Sequence, residues 1–276
     1  MDLKSDENIR EKAIKFFCRH LVGLSVAYRH KTEEDAAQPP RFTTCSGTLI
    51  IIEGVVCYLT AGHVLKKLDE LRSSAKVEIV SASLADTFGW KRISEIPIPF
   101  DLKNAALSYI DDEEAGLDFG VIMLEPSYAR LLAKNGIVAL TKERWLHQSS
   151  VKFDGYAILG FPDEFTSDRV SSSGAAFVSP TICGVKKLDR TPDGRTQTLY
   201  PQFIGQLGTT FSLKSLEGMS GGPIFGFRQE SNGEFRYWVV ALQSSWIGST
   251  KVTFGSSLPV LASLMTEWAE ERAPAA

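Results

Sequence analysis

The segment Leu216-Glu217-Gly218-Met219-Ser220-Gly221-Gly222-Pro223-Ile224-Phe225 sets one serine among three glycines and a proline, directly ahead of an apolar run. Glycines this dense cost backbone entropy and are kept where a chain takes unusual dihedrals or where another molecule approaches closely. Such a string is ordinarily a turn, but it is also a setting for a serine nucleophile, which needs an adjacent base to take its proton. Among the four histidines, His63 directly follows a strand-like segment ending in a small-residue turn, Tyr58-Leu59-Thr60-Ala61-Gly62, where it is either structural or a general base. Asp118 heads the apolar run Leu117 to Leu124, and a carboxylate there is costly to bury without a donor. If His63 supplies that donor through one ring nitrogen, the other is fixed as the acceptor facing Ser220, which is the logic of a Ser-His-Asp triad.

Chain order separates the versions of such a triad. Gly218 to Gly222 formally satisfies G-x-S-x-G, but an α/β-hydrolase needs its histidine after the serine, and no histidine follows His147. The subtilisin order needs the aspartate ahead of the histidine, and Asp2, Asp6 and Asp35 do not head core strands. Only the order His63, Asp118, Ser220 uses all three segments. In type, order and spacing, TAGHV, LDFGVIML and GMSGGP resemble the signature segments of the trypsin-like serine peptidases, and Cys45 to Ile50 resembles the strand that leads to their histidine. The resemblance covers about residues 42–250.

That resemblance implies an all-β fold of two antiparallel six-stranded barrels with the active site in the cleft between them. Ser220 would be the nucleophile, His63 the base and then the acid, and Asp118 the group orienting His63. The N–H groups of Gly218 and Ser220 would form the oxyanion hole. Lys214 and Ser215 would lie at the primary specificity pocket, where Lys214 either favours an acidic side chain or points to solvent. Ser244, Ser245 and Trp246 would line the strand that pairs with the substrate backbone, in one of two registers. Two departures stand out. Met219 occupies the place of the aspartate that pairs with a freed N-terminus in secreted relatives, so the oxyanion loop must be ordered by packing, by substrate or by an activating partner. Val64 replaces a cysteine, which leaves Cys45 without that family's disulfide partner. In the first respect the chain is similar to bacterial HtrA/Deg-type peptidases, with no length after the second barrel for a PDZ domain.

The elements that must position these residues show in the periodicity. Residues 8–22 carry Ile9, Ala13, Phe16, Phe17 and Leu21 at helical spacing, and the tail carries Leu258, Leu261, Leu264, Met265 and Trp268 likewise. Between them lie strand-like segments in two sets, separated by a short helical connector at Ser127 to Lys134. The expected units are an N-terminal helix (1–24), a first barrel with His63 and Asp118 (25–135), a second with Ser220 (136–256) and a C-terminal helix with a frayed tail (257–276). The interval from Lys66 to Gly116 exceeds a bare connection and has room for a lid or exosite.

Composition limits the partners. A formal net charge of −3 without a dense basic tract argues against nucleic acid, and no apolar run approaches a bilayer span. Acidic residues Asp2, Asp6, Glu7 and Glu11 stand where an export signal would be basic, and the four cysteines lack CxxC spacing, so reduced thiols in the cytoplasm are expected. Neither HExxH nor GxxxxGK[ST] occurs, so no metal and no cofactor is expected. The expected activity is serine endopeptidase action on a protein or peptide. The other readings are a peptidase-fold module that binds proteins and a latent protease that awaits a partner.

Overall fold

The structure is a computed structural model and describes residues 11–32, 34, 38–86, 96–146, 151–166, 178–192, 195–208 and 213–271. A helix α1 (11–17) and a 3-10 turn (Cys18–His20) lead into β1 (Leu21–His30), β2 (Arg41–Ile52) and β3 (Val55–Thr60). Helix α2 (Gly62–Ser73), β4 (Val77–Ala85), β5 (Ile98–Pro99), β6 (Leu107–Asp112) and β7 (Leu117–Met123) complete the first half. Helices α3 (Pro126–Lys134) and α4 (Lys142–Trp145) connect to β8 (Gly155–Gly160), β9 (Thr181–Lys187), β10 (Gln202–Leu207), β11 (Pro223–Gln229), β12 (Phe235–Ile247), β13 (Val252–Ser257) and helix α5 (Leu258–Glu271).

The second half closes into a six-stranded antiparallel barrel in the order β10-β13-β12-β11-β8-β9. The first half is an antiparallel sheet of seven strands, β5-β4-β1-β2-β3-β7-β6. The place of a single sixth strand between β4 and β7 is shared: β5 pairs with β4, and β6 pairs with β7. The sequence Ile96-Pro97-Ile98-Pro99 explains the division, because each proline removes a ladder donor and β5 stops after two residues.

Three apolar clusters hold these layers. Val22, Leu24, Val26, Tyr58, Leu65 and Ile122 fill the first sheet, and Ile158, Phe203, Met219, Ile224 and Trp238 fill the second barrel. A third cluster joins the halves, with Leu21, Ile50, Leu59 and Phe119 against Leu159, Phe161 and Phe225, and Phe17 and Leu258 covering it from the terminal helices. Phe17 touches the rings of Phe225 and Tyr237 with centroids 4.8 and 5.2 Å away. Buried His20 bonds Val138 C=O through Nδ1 and the Tyr237 hydroxyl through Nε2, which also receives Arg19. Burial drives the His20 pKa down to about 4, so the ring is neutral in this network.

The N-terminal helix ends before Cys18, and Leu21 begins a strand instead of closing a helix that runs to residue 24. Leu21 packs into the interface cluster while Val22, Leu24 and Val26 pack into the sheet core, so both faces of β1 are buried and its period of two is hidden. The strand-like Val138 to Thr141 contributes only a bridge from Leu140 to Ile50. The interval after Lys66 holds α2, β4, β5 and β6. Ile9, the strand-like residues 174–177, the Trp268 side chain and the tail from 272 lie outside the described residues. No helix among the described residues is long and apolar enough to cross a membrane.

Candidate active site

Asp118 and His63 meet because β3 and β7 run antiparallel with Thr60 opposite Gly120. The chain leaves β3 through Ala61 into α2, so His63 sits in that helix's first turn, and Asp118 lies two residues before Gly120 on β7. The Asp118 carboxylate receives three donors. His63 Nδ1 donates to Oδ2 at 2.8 Å, the Ser244 hydroxyl donates to Oδ2 at 2.6 Å, and the His63 backbone N–H donates to Oδ1 at 2.8 Å. The last bond satisfies an orphan amide of α2, and an anion there also opposes the positive end of the helix dipole. An ionised carboxylate only accepts, so Nδ1 carries the proton and Nε2 is left as the acceptor.

The electrostatics follow from these contacts. Burial of Asp118, whose side chain is 9% exposed, opposes its charge, but the bonds and charge of His63 and the Ser244 hydroxyl outweigh it and hold the carboxyl below its ordinary range. Burial likewise opposes a charged His63; the bond and charge of Asp118, with Asp111 further off, prevail and hold the imidazole above its ordinary value.

Ser220 approaches from the second barrel. Gly218 takes φ +83°, a conformation that favours glycine, and the turn continues into β11 at Pro223. The Glu217 carbonyl accepts from Asp163 N–H at 2.8 Å, and the Met219 carbonyl accepts from Gly222 N–H at 2.9 Å. In trans peptides N–H opposes C=O, so the N–H groups of Gly218 and Ser220 face away from those partners. Among the described residues neither amide has an acceptor. The Ser220 hydroxyl donates to the Ser244 carbonyl at 3.4 Å, and among the described residues no hydrogen bond joins it to His63. Ser244 thus touches Asp118 with its hydroxyl and Ser220 with its carbonyl. It is the extra residue where the β12 register slips against β13, between Gln243 and Ser245. A bulge re-aims a strand residue in this way.

The remaining expected residues are dispersed. Ser245 accepts weakly from the Arg195 guanidinium at 3.4 and 3.5 Å, and Trp246 packs against the second-barrel core. Lys214 is exposed, with its backbone N–H on the Glu164 carboxylate at 3.0 Å, and the Ser215 hydroxyl accepts from Glu217 N–H at 3.0 Å. A cleft of about 290 Å³ runs past His63, Asp111, Asp112, Arg195, Ser244 and Ser245. Arg195, which lies 3.7 Å above the Phe254 ring, is a cleft residue that sequence reasoning missed, since it stands in a Pro/Gly loop without a motif. Met219 is fully buried in the second-barrel core, so packing holds the residue that precedes Ser220. All four cysteines are free, and Cys57 pairs with Ile50 across the strands while Cys45 pairs with Leu24.

No protein-family model and no curated protein sequence matches the chain. Solved structures do. The thermostable serine protease AL20 from an extremophilic microorganism aligns with TM-score 0.51 and 13% identity, over 92% of this chain and 98% of that one. The protease Anisep from Arthrobacter nicotinovorans aligns with TM-score 0.48 and 13% identity, over 90% and 94%. A Glu endopeptidase gives 0.45 and 13%, over 90% of each chain. At these identities the likeness concerns architecture, and the AL20 alignment, together with the closed barrel and its companion sheet, shows that the chain has the chymotrypsin-like fold of the trypsin-like serine proteases.

Proposed function

We propose that the chain is a serine endopeptidase acting through His63, Asp118 and Ser220. The observation that carries the reading is the ring of contacts around Ser244, which bonds the carboxylate that holds His63 and receives the hydroxyl of Ser220. Hydroxyls in unliganded sites often sit long from their base and tighten only around substrate. In this reading the Ser220 Oγ rotates from the Ser244 carbonyl to His63 Nε2, attacks the scissile carbonyl and gives its proton to His63. The Gly218 and Ser220 amides, which have no acceptor among the described residues, hold the oxyanion. His63 then protonates the leaving amine, and water releases the acyl group by the reverse sequence. The substrate backbone pairs along Ser244 to Trp246, and Lys214 and Ser215 flank the primary pocket. The reaction needs no cofactor.

A reducing, cytoplasmic setting is part of the proposal, supported by the four free cysteines. Burial pushes the Cys18 and Cys45 thiols up to about 12, which keeps them inert. The test is digestion of a peptide library with mass-spectrometric detection of new termini, run alongside Ser220→Ala and His63→Ala. Cleavage by the parent protein alone supports the reading; cleavage equal in all three proteins sinks it.

A further inference from the structure

Ser46 lies on β2 in the first sheet, opposite Gly23 of β1, and is fully buried. Among the described residues its hydroxyl makes two bonds, both to the second barrel. It donates to the Gly218 carbonyl at 2.8 Å and accepts from the Phe161 N–H at 2.9 Å. Its own carbonyl accepts from the Thr60 hydroxyl at 2.7 Å, just ahead of the turn that carries His63. We propose that Ser46 is a positioning residue that locks the oxyanion turn in its open-donor orientation, so that the hole is formed at rest without a freed N-terminus or an activating partner.

Closing the hole means rotating the Glu217–Gly218 peptide so that its carbonyl replaces its N–H. That peptide is pinned on one side by Asp163 N–H, which holds the Glu217 carbonyl at 2.8 Å. The next peptide is pinned by Ser46, which holds the Gly218 carbonyl, so the hinge between the two is fixed from both ends. The same hydroxyl fastens Phe161, two residues before Asp163, and therefore steadies the segment that supplies the first pin. Buried Met219, anchored through its N–H on the Leu216 carbonyl at 3.0 Å, closes the third side. Replacing the hydroxyl removes both bonds at once, and a turn released from its pin rotates more readily.

This rests on the peptidase reading for its kinetic test but not for its structural one. Ser46→Ala should lower kcat on a cleaved peptide about 10- to 100-fold, less than the 10²–10³ for outright loss of a donor, with KM changed less than about threefold. The midpoint of the acid limb should not move, because Asp118 and His63 are untouched. Ser46→Cys keeps the side-chain shape with a larger, weaker hydrogen-bonding atom; its effect should fall between those of the parent and Ser46→Ala, and it replaces Ser46→Ala if that variant does not fold. Independently of activity, hydrogen exchange of the Met219, Gly221 and Gly222 amides should quicken in either variant. Unchanged exchange with unchanged kcat would overturn the inference, as would a loss confined to KM. If the parent protein cleaves nothing but exchange quickens in Ser46→Ala, the positioning role stands and the peptidase reading fails.

Discussion

Substituting Gly218 by alanine separates backbone strain from the specific geometry of the proposed oxyanion turn. Gly54 supplies the control, with φ +81° against +83° at Gly218. A Cβ on Gly54 meets nothing within 4 Å, so Gly54→Ala carries only left-handed strain of about 1–2 kcal/mol, partly offset by about 0.4–1 kcal/mol from a stiffer unfolded chain. A Cβ on Gly218 runs into Asp163 Oδ1 and lies 2.5 Å from the Phe161 carbonyl oxygen, which as backbone cannot swing aside. The turn must move off its two pins, and each buried group left unpaired costs about 1–3 kcal/mol. We therefore expect Gly54→Ala to cost about 1 kcal/mol and Gly218→Ala about 3–5 kcal/mol, read from urea denaturation followed by circular dichroism. Labelling of the folded Gly218→Ala protein by a fluorophosphonate should slow about 10²–10³-fold, as for the loss of one oxyanion donor. Equal costs for the two variants, or labelling of Gly218→Ala at the parent rate, would refute the reasoning.

Because Asp118 holds His63 above its ordinary value, the acid limb of kcat/KM should have its midpoint above about pH 6.5. Asp118→Asn should lower that midpoint and cut kcat about 10⁴-fold. The same pair sets a stability window. The His63 contribution is complete below about pH 6.5 and is lost as pH rises through its raised folded value, whereas that of Asp118 is complete above about pH 3.8 and is lost as pH falls through its lowered one. The stability gap between parent and Asp118→Asn should therefore peak between about pH 4 and 6.5, measured by denaturation across pH. Tyr237→Phe removes a hydroxyl shared by His20 Nε2 and Arg19, which should cost about 1–3 kcal/mol. For 276 residues at about 2.1 cal/mol/K each, Tm should drop by about 2–5 °C in a thermal scan.

The segments that carry His63, Asp118 and Ser220 stood out in the sequence because the chemistry proposed for them restricts residue type. A base after a strand end, a carboxylate heading a core strand and a serine among glycines cannot be traded for similar residues. Architecture was legible where strands bury one face, and it was hidden where burial is two-sided, as in β1, or where prolines divide a strand, as at Ile98. Ser46 falls inside the Cys45 to Ile50 segment, but nothing in that segment marks its hydroxyl; its role appears only when the two halves are brought together and that hydroxyl meets Gly218. The bulge that aims Ser244 at Asp118 is equally a property of register, and a run of serines does not announce which one is displaced.

In the proposed function Ser220 is an activated nucleophile beside formed oxyanion donors. Reaction of the folded protein with a fluorophosphonate, read by intact mass with Ser220→Ala in parallel, tests it most directly. Stoichiometric labelling of the parent protein is expected without any added partner, and none in the variant. A well-folded parent protein that stays unlabelled, or a variant that labels equally, would contradict it.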